Sequence, residues 1–134
     1  MEHEMMDTLQ FFEVMPGALP LYEQLLELVR QTVGPFSIRV QKTQITWSNR
    51  YVFACISFAK VRPAKLRPQT YLVVTFGLDH RVESPRIDIA TEPYPHRWTH
   101  HVLISAPEEI DGELIGWVRE AYDFSAAKGR GKCR

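Results

Sequence analysis

Two segments of this chain, YVFACISFA (Tyr51–Ala59) and YLVVTFGL (Tyr71–Leu78), are apolar at odd and even positions alike and rich in Val, Phe and Ile. A strand sends successive side chains to opposite faces, so a run of this kind must be covered on both sides. The two segments are therefore expected to be adjacent central strands, with something packed above the sheet and something below it.

Helical periodicity stands at the chain ends. Leu21, Leu25, Leu28 and Val29 recur at helical offsets, behind Pro20 in the favoured first turn and ahead of a Gly34-Pro35 stop. Near the other end Ser105 and Glu108 have the spacing of a capping box, and Ile110, Leu114, Trp117, Val118, Ala121 and Tyr122 form one stripe. A shorter helix is expected around Asp7 to Glu13, closed by Pro16-Gly17. In the middle the period falls to two. Thr43, Ile45 and Trp47 alternate with Gln44, Thr46 and Ser48, and Ser48-Asn49-Arg50 makes a turn into the first central strand. Trp98–Ser105 reads as a further strand, KVRPAKLRPQ as an exposed loop, and residues 79–97 as an edge strand plus irregular chain. Strands grouped between terminal helices predict an α+β fold with a mostly antiparallel sheet. Residues 1–127 are read as one domain and residues 128–134 as a basic flexible tail.

Composition agrees. A chain of 134 residues that is 45% hydrophobic and 24% charged is no disordered tract, and it can bury a core without a metal or disulfide staple. Cys55 lies inside an apolar run and Cys133 in the tail, so Cys55 is expected to be a reduced, buried small hydrophobe. No stretch approaches the ~18 apolar residues of a membrane span, and the start MEHEMMDT is acidic where a signal peptide would be basic. A cytoplasmic protein without a membrane partner is expected.

The formal charge is zero, but it is sorted along the chain. Residues 1–33 hold six acids and one base, residues 36–81 eight bases and one acid, residues 82–127 nine acids and three bases, and the tail four bases. The sheet region is basic and the segments around it are acidic.

The succession FFEVMPGALPLYEQL, VQKTQITWSNRYVFACISF, YLVVTFGL, SPRIDIATEPYPHRWTHHVLIS and ELIGWVREAYDF resembles the bacterial domain of unknown function numbered 5655, over about residues 10–126. The resemblance rests on KTQI entering a hairpin, EPYP before WTHH, and a final helix with Trp117, Glu120, Ala121 and Tyr122. It implies a small stand-alone protein or the end module of a larger chain, some members being restriction-nuclease-like, and it implies no defined activity.

Chemistry must then come from the residues. A restriction-type nuclease core needs an acid two residues before a strand lysine, and Val40 stands two before Lys42. Gly17, Gly34, Gly77, Gly112 and Gly116 are too scattered for a phosphate cradle, and no G-x-S-x-G elbow occurs. His96, His100 and His101 are close in sequence, but His100 and His101 should point to opposite faces of their strand, and no Cys or carboxylate set completes a tetrahedron. Neither a metal nor a cofactor is expected.

Two binding surfaces remain. Lys42, Gln44, Tyr51, His100 and His101 are polar groups on otherwise apolar strands, the composition of a small-ligand or peptide pocket, with Tyr94 and Trp98 as either rim aromatics or core. Arg50, Lys60, Arg62, Lys65 and Arg67, beside Trp47 and Tyr51, could follow a nucleic-acid backbone, although the pI of about 7.0 is low for that role. The expected function is that of a binding or accessory module for a small molecule or protein partner, self-association included. A nucleic-acid accessory role and an enzyme of undefined reaction are the alternatives.

Overall fold

In the computed structural model, which describes residues 2–127, six strands form one antiparallel sheet. They are β1 (Ser37–Val40), β2 (Gln44–Ser48), β3 (Val52–Ser57), β4 (Leu72–Leu78), β5 (Ile89–Tyr94) and β6 (Arg97–Ile104), in the order β1-β2-β3-β4-β6-β5. The expected central pair is β3 and β4, which are adjacent, with Cys55 opposite Thr75 and Ile56 opposite Val74. β5 takes the edge, where Pro93 costs no interior ladder bond. The other edge, β1, has no counterpart among the expected strands. It is four residues long and follows the Gly34-Pro35 break directly, too short for alternation to mark it.

Three α-helices accompany the sheet: α1 (Glu2–Phe11), α2 (Leu19–Thr32) and α3 (Gly112–Ala127). α2 buries Leu21, Tyr22, Leu25 and Val29 as its periodicity requires. Beyond its end, Gly34 is needed for close approach. A Cβ there would stand 2.8 Å from the Tyr122 hydroxyl, which itself donates to the Pro35 carbonyl at 2.8 Å. α3 begins later than the Ser105–Glu108 spacing predicts. The Glu109 carboxylate instead takes the N–H groups of Ser105 at 2.6 Å and Ala106 at 3.2 Å, closing a separate turn over residues 107–109. Asp111 then starts the helix by accepting the Leu114 N–H at 3.1 Å. Arg86 braces that carboxylate at 2.8 Å and holds it below the usual carboxylate range.

The two faces of the sheet differ. Leu72, Val74, Phe76 and Leu78 of β4, with Val102 and Ile104 of β6, join Leu25, Leu114 and Val118 in the main core. Ring packing continues it, with Phe76 stacked on Trp117 at 5.7 Å and the Trp47 indole donating to the Tyr22 hydroxyl at 3.4 Å. On the opposite face a smaller cluster of Tyr71, Val73 and Leu103 is covered by Met15, Phe58 and Val61. The segment between β3 and β4 is tied down there. The Tyr71 hydroxyl donates to the Phe58 carbonyl at 2.8 Å, Arg62 pairs with Asp88 at 2.7 Å, and Asp88 accepts the Leu103 N–H at 2.9 Å. This cover lies over the end of the sheet where β4 begins. The end where β4 finishes is left open on that face.

No helix among the described residues is long and apolar enough to cross a membrane. The basic tail and Cys133 lie outside the described residues.

Candidate functional site: a trough at the open end of the sheet

Strand alternation decides what the open face presents. Because Phe76 and Leu78 enter the main core, Thr75 and Gly77 must face away from it. The pairing register carries that face across the sheet: Thr46, Cys55, Thr75 and His101 form one row over four neighbouring strands, and Gly77 lies opposite Thr99 in the next. At the Gly77 end this surface sinks into a trough of about 620 Å³. Cys55, Thr75, Gly77 and Thr99 come from its strands, Tyr51, Val52, Tyr94 and Phe124 supply apolar and aromatic walls, and the Trp98 backbone carbonyl lies beside Gly77.

Gly77 is the residue that makes room. A glycine inside a strand is normally destabilising, and it is tolerated where backbone crowding forbids a side chain. Here there is no such crowding: the nearest atom to a Cβ at position 77 would be the Trp98 carbonyl oxygen at 3.7 Å, an ordinary contact. The missing side chain becomes part of the trough.

Each wall has its own support. Tyr51 follows the turn between β2 and β3, where the register shifts between Trp47 and Ser48. Asn49 of that turn donates to the Tyr122 carbonyl at 2.9 Å, and buried Ser125 accepts the Tyr51 N–H at 3.2 Å, so α3 holds the turn in place. Across the trough, β5 and β6 join through Pro95-His96, with Tyr94 opposite Arg97. His96 has φ 61°, a left-handed conformation that reverses the chain in two residues, and its N–H is taken by Glu92 Oε2 at 3.1 Å.

Arg97 is the one charged group among the described residues lining the trough. Its guanidinium lies over the Phe124 ring at 5.2 Å and donates through Nη1 to the His96 carbonyl at 3.2 Å. Burial pushes the Cys55 thiol up, so it stays protonated and weakly nucleophilic.

The expected set Lys42, Gln44, Tyr51, His100 and His101 does not converge. Tyr51 alone lines the trough. Lys42 and Gln44 sit at the other end of the β2–β3 hairpin, in a groove of about 1020 Å³ against Asp7, Gln10 and Glu13. His101 shares the open face but turns to Thr75, with Nδ1 2.8 Å from Oγ1, and burial holds it below its ordinary pKa against the pull of Asp88. His100 is wholly buried on the helix side, stacked on Phe76 at 5.0 Å, and its Nε2 accepts the Val82 N–H at 2.9 Å. His96, at the β5–β6 turn, joins neither.

The basic residues also separate. Arg50 lies over Tyr51 at 5.8 Å, whereas Lys60, Arg62, Lys65 and Arg67 belong to the segment after β3, six residues of strand or about 20 Å away. Arg62 is already committed to Asp88. Sequence reasoning missed Gly77, Thr99, Arg97 and Phe124. The signal available for finding them was an unexplained glycine in an otherwise bulky strand.

No curated protein and no solved structure matches the chain. The profile of one family, described as a domain of unknown function (DUF5655), matches residues 11–125 and so spans every strand and both trough-bearing turns. On that match, the chain belongs to the DUF5655 family.

Proposed function

We propose that this chain is a cytoplasmic binding module that takes a small, largely apolar molecule in the trough above Gly77. The observation that carries this reading is Gly77 itself: a central strand gives up a side chain where one would fit, and the space lies within a cavity walled by Tyr51, Tyr94 and Phe124. A volume of about 620 Å³ falls in the range of small-molecule sites, which pair apolar walls with a few polar groups. Thr99, Thr75, Cys55 and Arg97 are those groups. These groups support binding: the thiol is held protonated, no carboxylate or imidazole lines the trough among the described residues, and His101, bonded to Thr75 Oγ1 at 2.8 Å, is not among the lining residues. The basic segment after β3 gives a nucleic-acid role less support, because Arg62 is spent on Asp88 and Arg50 stands apart.

The test is a fragment screen by thermal shift on the parent protein and on Gly77→Leu. The new side chain enters open space, so the variant is expected to keep its fold while losing the shifts that fragments give the parent. Hits that stabilise both proteins equally, or a screen without hits, would refute the reading.

A further inference from the structure

Resting on that reading, we infer that the ligand is an apolar monocarboxylate, its body on the Gly77 floor and its carboxylate on Arg97. The charge inventory of the trough leads to this class. Among its described lining residues one is cationic and none is acidic, so an anionic group on the ligand has a charged partner in the lining and a cationic group has no lining carboxylate. A neutral apolar molecule would leave the remaining guanidinium donors to water. A single carboxylate satisfies the charge.

Arg97 is also prepared for this task. Its plane is set by the Phe124 ring at 5.2 Å and by the Nη1 bond to His96, while the left-handed turn at His96 fixes the backbone that carries it. Only one of its five N–H donors is used by that bond, and no described carboxylate lies within ion-pair distance of it. Glu92, the nearest acid in sequence, is turned to the His96 N–H instead. A preoriented, half-buried guanidinium with free donors matches the paired oxygens of a carboxylate. The other polar groups of the lining, Thr75, Thr99 and the Tyr51 and Tyr94 hydroxyls, are neutral, so Arg97 is the one charged partner that the described lining offers.

The experiment is a titration of the whole protein with naphthylacetate, and separately with its neutral amide, followed by amide-resolved NMR. The acid is expected to shift the Gly77, Thr99 and Arg97 signals and to bind at least about tenfold more tightly than the amide, as a charge-assisted bond at a half-buried site requires. Arg97→Gln should remove that preference, and Arg97→Lys should restore part of it. An amide that binds as tightly as the acid at the same residues overturns the carboxylate assignment and leaves the trough as a binding site. Shifts confined to the Lys42 groove, or no shifts with either probe, overturn both. The comparison of acid with amide is made on the parent protein, so the outcome stands even if an Arg97 variant fails to fold.

Discussion

The Ser125 hydroxyl of α3 lies 2.6 Å from the Asn49 side-chain carbonyl, although 76 residues separate them. Ser125 is 2% exposed, and it also receives the Tyr51 N–H, so a single small side chain joins the final helix to the hairpin turn that carries one wall of the trough. A hydroxyl on an apolar helix face would be costly without these partners.

Replacing Ser125 with Ala is therefore expected to cost about 1–3 kcal/mol, because the Tyr51 N–H and the Asn49 carbonyl lose a buried partner. Chemical denaturation of S125A, N49A and the double variant checks it. The double variant should lose clearly less than the two single losses added together, since both remove the same network. Strict additivity would show that the two residues act independently.

Stability should fall as pH drops below about 6.5. Burial holds His100 and His101 below that ordinary value; for His100 the charges of His80, His101 and Arg81 press the same way, and the Phe76 carbonyl opposes. The geometry of His100 gives the effect a cause. Its Nε2 accepts from Val82, so the neutral ring carries its hydrogen on Nδ1, which is buried and has no partner within good hydrogen-bond geometry among the described residues. Protonating Nε2 would set two donors face to face and release the segment at Val82. The sign follows from lowered folded-state pKa values: through the window below 6.5 the unfolded chain binds protons that the folded chain refuses, so stability declines toward acid until the folded values are reached. Unfolding curves between about pH 7.5 and pH 5.5 should show this slope, and His100→Gln should flatten it. An unchanged slope in that variant would assign the dependence elsewhere. Asp111, whose pKa is lowered by Arg86, adds its own loss only in more acidic solution.

Gly34→Ala should cost about 1 kcal/mol in the parent and close to nothing in Tyr122→Phe. The added methyl would meet the Tyr122 hydroxyl at 2.8 Å and displace it from the Pro35 carbonyl; without that hydroxyl the nearest ring carbon is 3.7 Å away. Thermal melts of the four proteins decide it. An equal cost in both backgrounds would mean that backbone freedom, and not the tyrosine, requires the glycine.

Local patterns in the chain determined the α+β class, the antiparallel β3–β4 pair and the turn at Ser48–Arg50, because burial on both faces and period-two alternation act within a few residues. The same alternation separated His100 from His101. What the pattern does not encode is which residues of different strands meet. Lys42 and Tyr51 are nine positions apart on one hairpin and end at opposite ends of the sheet, while Cys55, Gly77 and Thr99, drawn from three strands, share one cavity. That depends on register and on which part of each face is covered. Tyr71, Val73 and Leu103 lie under the segment after β3, and the Gly77 end does not. The start of α3 was decided in the same way, by the Glu109 turn and by Arg86 reaching Asp111 from 25 residues away. Long-range contacts set where this sheet is open, since a strand's own sequence records the need for cover but not what supplies it.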